Sequence, residues 1–413
     1  MEQRVVITGI GAITPVGNHA EDTWKNLVEG NCGIDFIKGY DEYNLPVKVA
    51  GQIKNFDQSE YELNAGLARR SDKFCVYAMA AASDAMKDAG LVSGENIAPE
   101  RLGVYIGSGI GGMETFVNQT KVMLEEGVNR ISPFFVPMMI SNIASGNVAI
   151  SHNAQGVCLP VVTACATGTH AAGEAFRAIK YGLADAIITG GAEAAIHPMA
   201  IGGFANSRAL TSSETLEDAC TPFDARRSGF TMAEGAGVLV FEEYEHAIKR
   251  GATIYAEVAG YGNSCDAHHY TAPRPDGIPA SKAIRMALEE AGYTADDTLY
   301  INAHGTSTPL NDKTETNAIK LALGEENARK ALISSTKSMT GHMLGAAGGI
   351  ELIATALALK NGIVPPTINY KEADPECDLN YVPNQAIKVD LTIAASNSLG
   401  FGGHNSCVAL KKI

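Results

Sequence analysis

The chain of 413 residues lacks several features that mark particular classes of protein. It has no uninterrupted apolar run of about 18 residues, so a membrane-spanning helix is excluded, and its first residues do not read as a secretion signal. Eight scattered cysteines without a Cys-x-x-Cys pair predict reduced thiols and a cytoplasmic protein. Positive charge is also scarce: 32 Lys and Arg against 46 Asp and Glu give a net charge of −14. This balance excludes a general nucleic-acid or anionic-membrane coat.

Glycine, by contrast, is abundant, with 43 residues, and 46% of the chain is hydrophobic. Short β-branched runs alternate with Ala-rich stretches of helical period, which predicts an α/β fold with parallel strands. The sequences at 101–112 and 298–309 both resemble a buried strand that enters a turn of small residues. We therefore expect two similar halves, residues 1–250 and 251–413, that share one core.

Cys165 lies where a β-like stretch turns into an Ala-rich helix, in the sequence TACATGTH. A thiol at a helix N-terminus faces the positive end of the helix dipole, which lowers its pKa and favours the thiolate. This is the geometry of a nucleophile. A buried structural cysteine is the competing interpretation, and composition does not decide between them.

Three glycine-rich loops carry further candidate residues. His304 and His342 each stand in such a loop after a predicted strand, Lys337 precedes His342, and Phe401 is flanked by glycines. Glycine-rich loops allow a substrate to approach the backbone, although a structural histidine or a core phenylalanine would fit the same pattern. Neither histidine has a second metal ligand at a recognised spacing, so no catalytic metal is expected.

Four motifs now stand together in order: TACATGTH, NAHGTSTPLNDKTE, STKSMTGHMLGAAGGIE and SNSLGFGGHN. Together they resemble the elongating β-ketoacyl-acyl-carrier-protein synthases, the type II enzymes in particular, and the resemblance covers nearly the whole chain. It implies the thiolase fold, a five-layered αβαβα sandwich of two similar βαβαβαββ halves, and a homodimer. The implied partner is an acyl carrier protein, which brings the phosphopantetheine, so the enzyme itself needs no cofactor.

The resemblance also implies a role for each candidate. Cys165 would take the acyl chain from the carrier, and His304 and His342 would stabilise the enolate that forms as malonyl-carrier loses CO2. Lys337 would hold His342 and the local charge balance. The backbone N–H groups of Cys165 and Phe401 would form the oxyanion hole, and the Phe401 side chain would gate the pocket between its acyl-loading and malonyl-binding states.

Other positions follow from the same matching. The resemblance implies hydrogen bonds to the pantetheine amides from Thr306 and Thr308. It assigns the acyl pocket, part of which a partner subunit supplies, to Ile110, Phe204, Phe134 and Phe135. Carrier docking falls to the basic residues Arg69, Arg70, Lys73, Arg130 and Arg208. Ordinary core packing and a solvated helix face are the alternatives for these two sets. Three departures from the family pattern, Leu399, Ala233 and Asn129, remove no catalytic group.

Two other functions remain open. A discrete polyketide ketosynthase would carry the same residues and use a different acyl substrate. A non-catalytic partner subunit that only shapes a cavity is disfavoured by the presence of Cys165 together with both histidines. Thiolases use a second cysteine and initiating synthases use an asparagine, so the two-histidine pattern disfavours both.

Overall fold

The computed structural model describes residues 2–413. Its strands are Val5–Ile13 (β1), Asp35–Phe36 (β2), Val49–Ala50 (β3), Leu102–Gly107 (β4), Ala186–Glu193 (β5), Gly235–Glu243 (β6), Ala256–Cys265 (β7), Leu299–Asn302 (β8), Leu332–Ser334 (β9), Ile363–Val364 (β10), Ile387–Lys388 (β11), Ile393–Gly400 (β12) and His404–Lys411 (β13). Its helices are Ala20–Glu29 (α1), Ala65–Ala68 (α2), Lys73–Ala89 (α3), Met113–Glu126 (α4), Phe135–Met139 (α5), Ile143–Ser151 (α6), Thr167–Lys180 (α7), Pro198–Asn206 (α8), Tyr244–Lys249 (α9), Ile278–Glu290 (α10), Pro309–Leu323 (α11), Glu325–Lys330 (α12), Lys337–Thr340 (α13) and Ala347–Asn361 (α14).

The large sheet shows the internal repeat directly. Its strand order is β4-β5-β6-β1-β7-β13-β12-β8-β9, and Cys158 of the segment 157–163 forms an isolated parallel bridge with Val104 of β4 at one edge. When the strands are numbered along each half, and the segment 157–163 is counted as the third strand of the first half, both halves have the strand order 3-2-4-5-1. The last strand of each half, β6 or β13, is antiparallel to both of its neighbours. The halves meet where β1 pairs with β7 over Val5 to Ile7.

The helices complete five layers. Helix α3 covers the outer face of the first half-sheet, and α10 covers the outer face of the second. Between the half-sheets lie α7, which contacts β5 and β13, and α14, which contacts β6 and β12. The largest apolar cluster fills this central layer with residues of both halves. The predicted five-layered sandwich of two βαβαβαββ halves is confirmed.

Glycines allow the first strand of each half to approach its covering helix closely. A Cβ on Gly9 or Gly11 of β1 would lie 2.1 or 2.0 Å from the carbonyl oxygens of α3. A Cβ on Gly260 or Gly262 of β7 would lie 2.0 Å from those of α10. The same Gly-x-Gly contact thus occurs in both halves, a stronger sign of repetition than the sequence echo.

The predicted elements agree in type with the observed ones and differ at their ends. The sequence pattern predicts a strand from Leu299 to Asn302, and β8 has these bounds. The pattern also predicts a helix from Glu315 to Leu323, whereas α11 begins at Pro309. Thr308 is extended and Pro309 occupies the first turn, where its missing N–H costs nothing. Among residues 2–413, no helix is long and apolar enough to cross a membrane.

Candidate active site

Cys165 lies in a strained turn at the start of α7. The 3-10 turn Ala164–Ala166 leads directly into the helix, and Ala164 has φ of 50°, in the left-handed region that costs a residue with a side chain about 1 kcal/mol. The Thr163 N–H donates to the Thr167 hydroxyl over 2.9 Å, and Nδ1 of His170 lies 3.1 Å from the Ala166 carbonyl oxygen. These contacts hold the turn that presents the thiol.

Burial dominates the electrostatics of this thiol. The Cys165 side chain is only 8% exposed, and its desolvation raises the pKa of the thiol to about 12. The positive charge of Lys337 and the backbone N–H groups of Phe401 and Cys165 lower the pKa but do not offset burial. The expectation of a low pKa from the helix N-terminus is therefore wrong for this site. Both N–H groups lie next to the sulfur, so they stay the candidates for the expected oxyanion hole.

The two predicted histidines face each other. Their ring centroids lie 5.3 Å apart at an interplanar angle of 87°, and Phe230 packs against His342 with a centroid distance of 5.2 Å. Burial and the positive charge of Lys337 lower the pKa of both rings well below the usual value, so both imidazoles are neutral at pH 7. Nδ1 of His304 and both ring nitrogens of His342 have no hydrogen-bond partner among residues 2–413.

Buried charges lie beneath the histidines. Lys337 forms an ion pair with Glu351, and the two side chains are 1% and 2% exposed. Burial raises the pKa of Glu351 to about 7 although Lys337 opposes the shift. Glu315 accepts hydrogen bonds from the N–H groups of His304 and Gly305, at 2.7 and 2.8 Å. Glu315 therefore orders the His304 loop.

One pocket of about 310 Å³ brings the candidates together. Its lining includes Cys165, His304, His342, Phe401 and, towards the surface, Arg208. Thr306 and Thr308 line the same pocket, and their hydroxyls lie 2.9 Å apart. The four motifs therefore converge on a single cavity although they are far apart in the chain.

An apolar cluster lies behind the nucleophile. Cys165 belongs to it, and the half-buried Ile110 and Phe204 pack against it. The Phe204 ring lies 5.5 Å from that of Phe230 and 6.3 Å from that of Phe401. The cluster supplies an apolar surface next to the thiol, beyond the Phe401 side chain.

The other two acyl-pocket candidates do not reach the pocket within one chain. Phe134 is 38% exposed and lies under the guanidinium group of Arg70 at 4.7 Å. The Phe135 ring is 6.2 Å from that of Phe116 on α4. Both therefore belong to the surface around α4 and α5.

The predicted docking residues fall into two groups. Arg69, Arg70 and Arg208 form no ion pair within residues 2–413. Lys73 lies 3.9 Å from both Glu114 and Glu234, and Arg130 lies 3.3 Å from Glu126. The three unpaired arginines are better placed to attract an acidic partner, because carboxylates already compensate the other two charges.

Sequence reasoning missed several residues of the site. Phe230 packs on His342, and the loop Thr271–Pro273 with Asp266 lines the pocket mouth. No local pattern marks them, because only the tertiary fold brings them to the pocket. Of the departures from the family pattern, Leu399 lines the pocket. Ala233 packs closely against Gly341, so the space at position 233 holds little more than a methyl group. Asn129 lies in the short turn after α4.

The state of the Cys165 thiol can be measured by alkylation. Because its pKa is about 12, the rate of its reaction with iodoacetamide should rise about tenfold per pH unit from pH 7 to 10 without a plateau. The labelled peptide is followed by mass spectrometry, and Cys165→Ser controls for labelling of the exposed Cys32, Cys158 and Cys265. A plateau below pH 8.5 would show that a low-pKa thiolate already exists in the free protein.

Known proteins match this chain over most of its length. Residues 2–247 match the family model of the β-ketoacyl synthase N-terminal domain, and residues 255–371 match that of the C-terminal domain. The chain is 52% identical over 410 residues to a 3-oxoacyl-[acyl-carrier-protein] synthase 2 of Staphylococcus aureus, covering 99% of this chain and 98% of that protein. It is 50% identical over 412 residues to the protein of the same name from Synechocystis, covering 100% and 98%.

Solved structures of ketosynthases also match this chain over its whole length. A type II polyketide ketosynthase, solved in complex with its acyl-carrier protein and bound to the hexaketide, matches with a TM-score of 0.91 at 35% identity over the whole of both chains. A β-ketoacyl synthase from Burkholderia phymatum matches with a TM-score of 0.91 at 33% identity, again over the whole of both chains. The chain belongs to the β-ketoacyl synthase family.

Proposed function

We propose that this enzyme joins an acyl group held on Cys165 to a malonyl group held on an acyl carrier protein, in fatty-acid chain elongation. The products are a 3-oxoacyl-carrier, CO2 and free carrier. The observation that carries the proposal is the convergence of Cys165, His304 and His342 on one pocket. A nucleophile and two neutral imidazoles are the groups that a decarboxylating condensation needs.

The first half-reaction loads the enzyme. The Cys165 sulfur bonds to the acyl carbonyl carbon, the carbon–sulfur bond to the carrier breaks, and the thiol proton ends on the departing pantetheine sulfur. Because the thiol is protonated at rest, this proton must move during the attack. The N–H groups of Cys165 and Phe401 stabilise the oxyanion that forms on the carbonyl.

The second half-reaction makes the new carbon–carbon bond. The bond between malonyl C2 and its carboxylate breaks, CO2 leaves, and the electron pair remains as an enolate. His304 and His342 donate hydrogen bonds to the enolate oxygen, which neutral imidazoles can do. The carbanion then bonds to the acyl carbonyl carbon, the bond to the Cys165 sulfur breaks, and the thiolate takes up a proton from the solvent. Lys337 contributes positive charge beneath the site, and its pairing with Glu351 fixes its position.

The binding roles follow from the pocket. Thr306 and Thr308 line the same pocket as the histidines and are the proposed partners of the pantetheine amides. Ile110 and Phe204 receive the acyl chain, and Phe401 separates that apolar space from the malonyl side. The contact between Phe401 and Phe204 supports a gate, since moving Phe401 would open the apolar cluster.

A polyketide ketosynthase remains the second candidate. The related ketosynthase solved with its carrier protein and hexaketide is 35% identical to this chain, whereas the 3-oxoacyl-[acyl-carrier-protein] synthases are 50% and 52% identical. The higher identity favours fatty-acid elongation. A non-catalytic role is disfavoured by the complete set of Cys165, His304, His342 and Lys337.

The proposed partner surface surrounds the pocket mouth. The chain has a net charge of −14, so a carrier protein of the same sign is attracted only by local positive charge. Arg208 lines the mouth, and Arg69 and Arg70 add charge near α3. The surface that contains Phe134 and Phe135 would supply part of the acyl pocket of a partner subunit, which agrees with its position outside the pocket of its own chain.

The proposed dimer forms at the edge of the large sheet. Cys158 of the segment 157–163 bridges to Val104 of β4 on one side, and no strand pairs with this segment on its other side within residues 2–413. Leu159 and Val162 of this segment are 54% and 50% exposed. An uncovered apolar edge strand promotes association, and a second copy offers an identical edge.

Variants of Cys165 and His304 separate the two half-reactions. Cys165→Gln should release CO2 from malonyl-carrier but form no 3-oxoacyl product, since it retains the enolate donors and lacks the nucleophile. His304→Ala should still accept an acyl group at Cys165 but lose about a hundredfold in decarboxylation, the usual cost of one anion-stabilising donor. Labelled CO2 and acyl-enzyme mass are measured separately.

His246→Ala, on α9 and outside the pocket, is the matched control and should change neither step. In the same assay, Phe401→Ala should slow acyl loading because the gate is lost. Condensation by Cys165→Gln, or CO2 release at the wild-type rate by His304→Ala, would each contradict the assigned role.

The docking surface is tested by charge reversal. Arg208→Glu should raise the KM for malonyl-carrier about tenfold at low salt, and the difference should shrink as salt screens the charge. Activity with malonyl-pantetheine, which lacks the carrier, should be unchanged. Arg285→Glu, an exposed arginine on α10, is the control. Equal KM values for Arg208→Glu and wild type would rule out this docking site.

Analytical ultracentrifugation tests the dimer. The wild-type chain of 43.4 kDa should sediment as a species of twice that mass at micromolar concentration. Leu159→Lys should shift it towards monomer by placing a charge in the interface, whereas Leu321→Lys, exposed on α11, should not. A monomeric wild type, or a Leu159→Lys variant that dimerises as well as wild type, would refute the edge pairing.

A further inference from the structure

One buried carboxylate next to the active site has no part in the proposed reaction. Glu193 is the last residue of β5, its side chain is completely buried, and it forms no ion pair within residues 2–413. Instead it accepts four hydrogen bonds. Oε1 accepts from the Ser108 hydroxyl at 2.7 Å and the Ile110 N–H at 3.1 Å, and Oε2 accepts from the N–H groups of Gly109 at 2.8 Å and Gly345 at 3.1 Å.

The arrangement suits an ionised carboxylate. Burial raises the pKa of Glu193 and the hydrogen bonds oppose that shift. The three N–H groups can only donate, and the Ser108 hydroxyl already accepts a hydrogen bond from the Gly111 N–H at 3.0 Å. Three of the four contacts thus come from groups that can only donate, and an ionised carboxylate accepts such hydrogen bonds best.

The four donors come from both halves of the chain. Ser108, Gly109 and Ile110 follow β4 in the first half, and Ile110 packs beside Cys165 in the apolar cluster. Gly345 belongs to the second half, in the turn that follows His342. A Cβ on Gly345 would lie 2.5 Å from the Gly109 nitrogen and 2.9 Å from Oε2 of Glu193, so the two loops touch at the carboxylate.

We infer that Glu193 is a positioning residue that holds the acyl-pocket loop, residues 108–111, against the His342 loop, residues 342–346. It thereby fixes where Ile110 and His342 stand relative to Cys165. The inference rests on the proposed function, because its kinetic tests measure acyl loading and condensation. One side chain would thus align residues of the acyl-loading step, in the first half of the chain, with residues of the condensation step, in the second half.

The decisive variant is Glu193→Gln. Its amide nitrogen can only donate, so at least one of the four backbone or hydroxyl donors must lose its acceptor. The loops then separate, and displacement of about 1 Å at a reacting centre costs about tenfold to a hundredfold in rate. We expect that loss in kcat for condensation, with KM for malonyl-carrier nearly unchanged, and an altered ratio of loading rates for long and short acyl chains.

The same variant gives a second, opposite readout. The negative charge of Glu193 is among the influences that raise the pKa of Cys165. Removing it should shift the alkylation profile of Cys165 to lower pH while condensation becomes slower. A general loss of stability would instead lower the folded fraction, so that acyl loading and condensation would fall in proportion. It would not move the alkylation profile of the folded protein.

Glu242→Gln is the matched control. Glu242 is another buried carboxylate, at the opposite end of the β5–β6 ladder, where it pairs with Ala186 while Glu193 pairs with Gly235. Seven residues of strand separate the two ends, about 23 Å. Glu242→Gln should lower the melting temperature without changing the chain-length ratio or the alkylation profile.

Ser108→Ala keeps the test decisive if Glu193→Gln does not fold, because it removes one donor and should change the chain-length ratio in the same direction by a smaller factor. Wild-type kinetics per folded molecule in Glu193→Gln, or in Ser108→Ala if only that variant folds, would overturn the inference. If wild type itself does not condense, the proposed function fails instead, so the two failures are distinguishable.

Discussion

The site depends on the close contact between α7 and α14 in the central layer. A Cβ on Gly168 of α7 would lie 2.7 Å from the Gly349 nitrogen of α14, and one on Gly348 would lie 2.4 Å from the Thr169 nitrogen. Only glycines allow the two helix starts to approach so closely. Because α7 begins after Cys165 and α14 begins after the His342 loop, this contact brings the nucleophile of one half beside a histidine of the other.

The two helix starts are also alike in conformation. Each follows a 3-10 turn, Ala164–Ala166 or Leu344–Ala346, and the first residue of each turn has a left-handed φ, 50° for Ala164 and 47° for Leu344. The second residue is Cys165 in one turn and Gly345 in the other. The same strained turn thus occurs in both halves. It carries a thiol in the first half and an N–H donor to Glu193 in the second.

Sequence reasoning predicted much of this arrangement. Periodicity predicted the alternation of strands and helices. The four motifs pointed to Cys165, His304 and His342, because residues that are close in a short motif stay close in any fold. It could not predict the pKa of Cys165, since burial depends on residues from distant segments. For the same reason it did not find that Lys73 lies between two glutamates. The boundary at residue 250 stays a prediction.

The central claim is that the acyl chain passes through Cys165, and mass spectrometry of the enzyme with a saturated acyl-carrier tests it most directly. The account predicts a gain of one acyl mass per chain, located on the peptide that contains residue 165. Addition of malonyl-carrier should remove that mass and yield a 3-oxo product longer by two carbons. An adduct on another residue, or turnover without any adduct, would contradict the account.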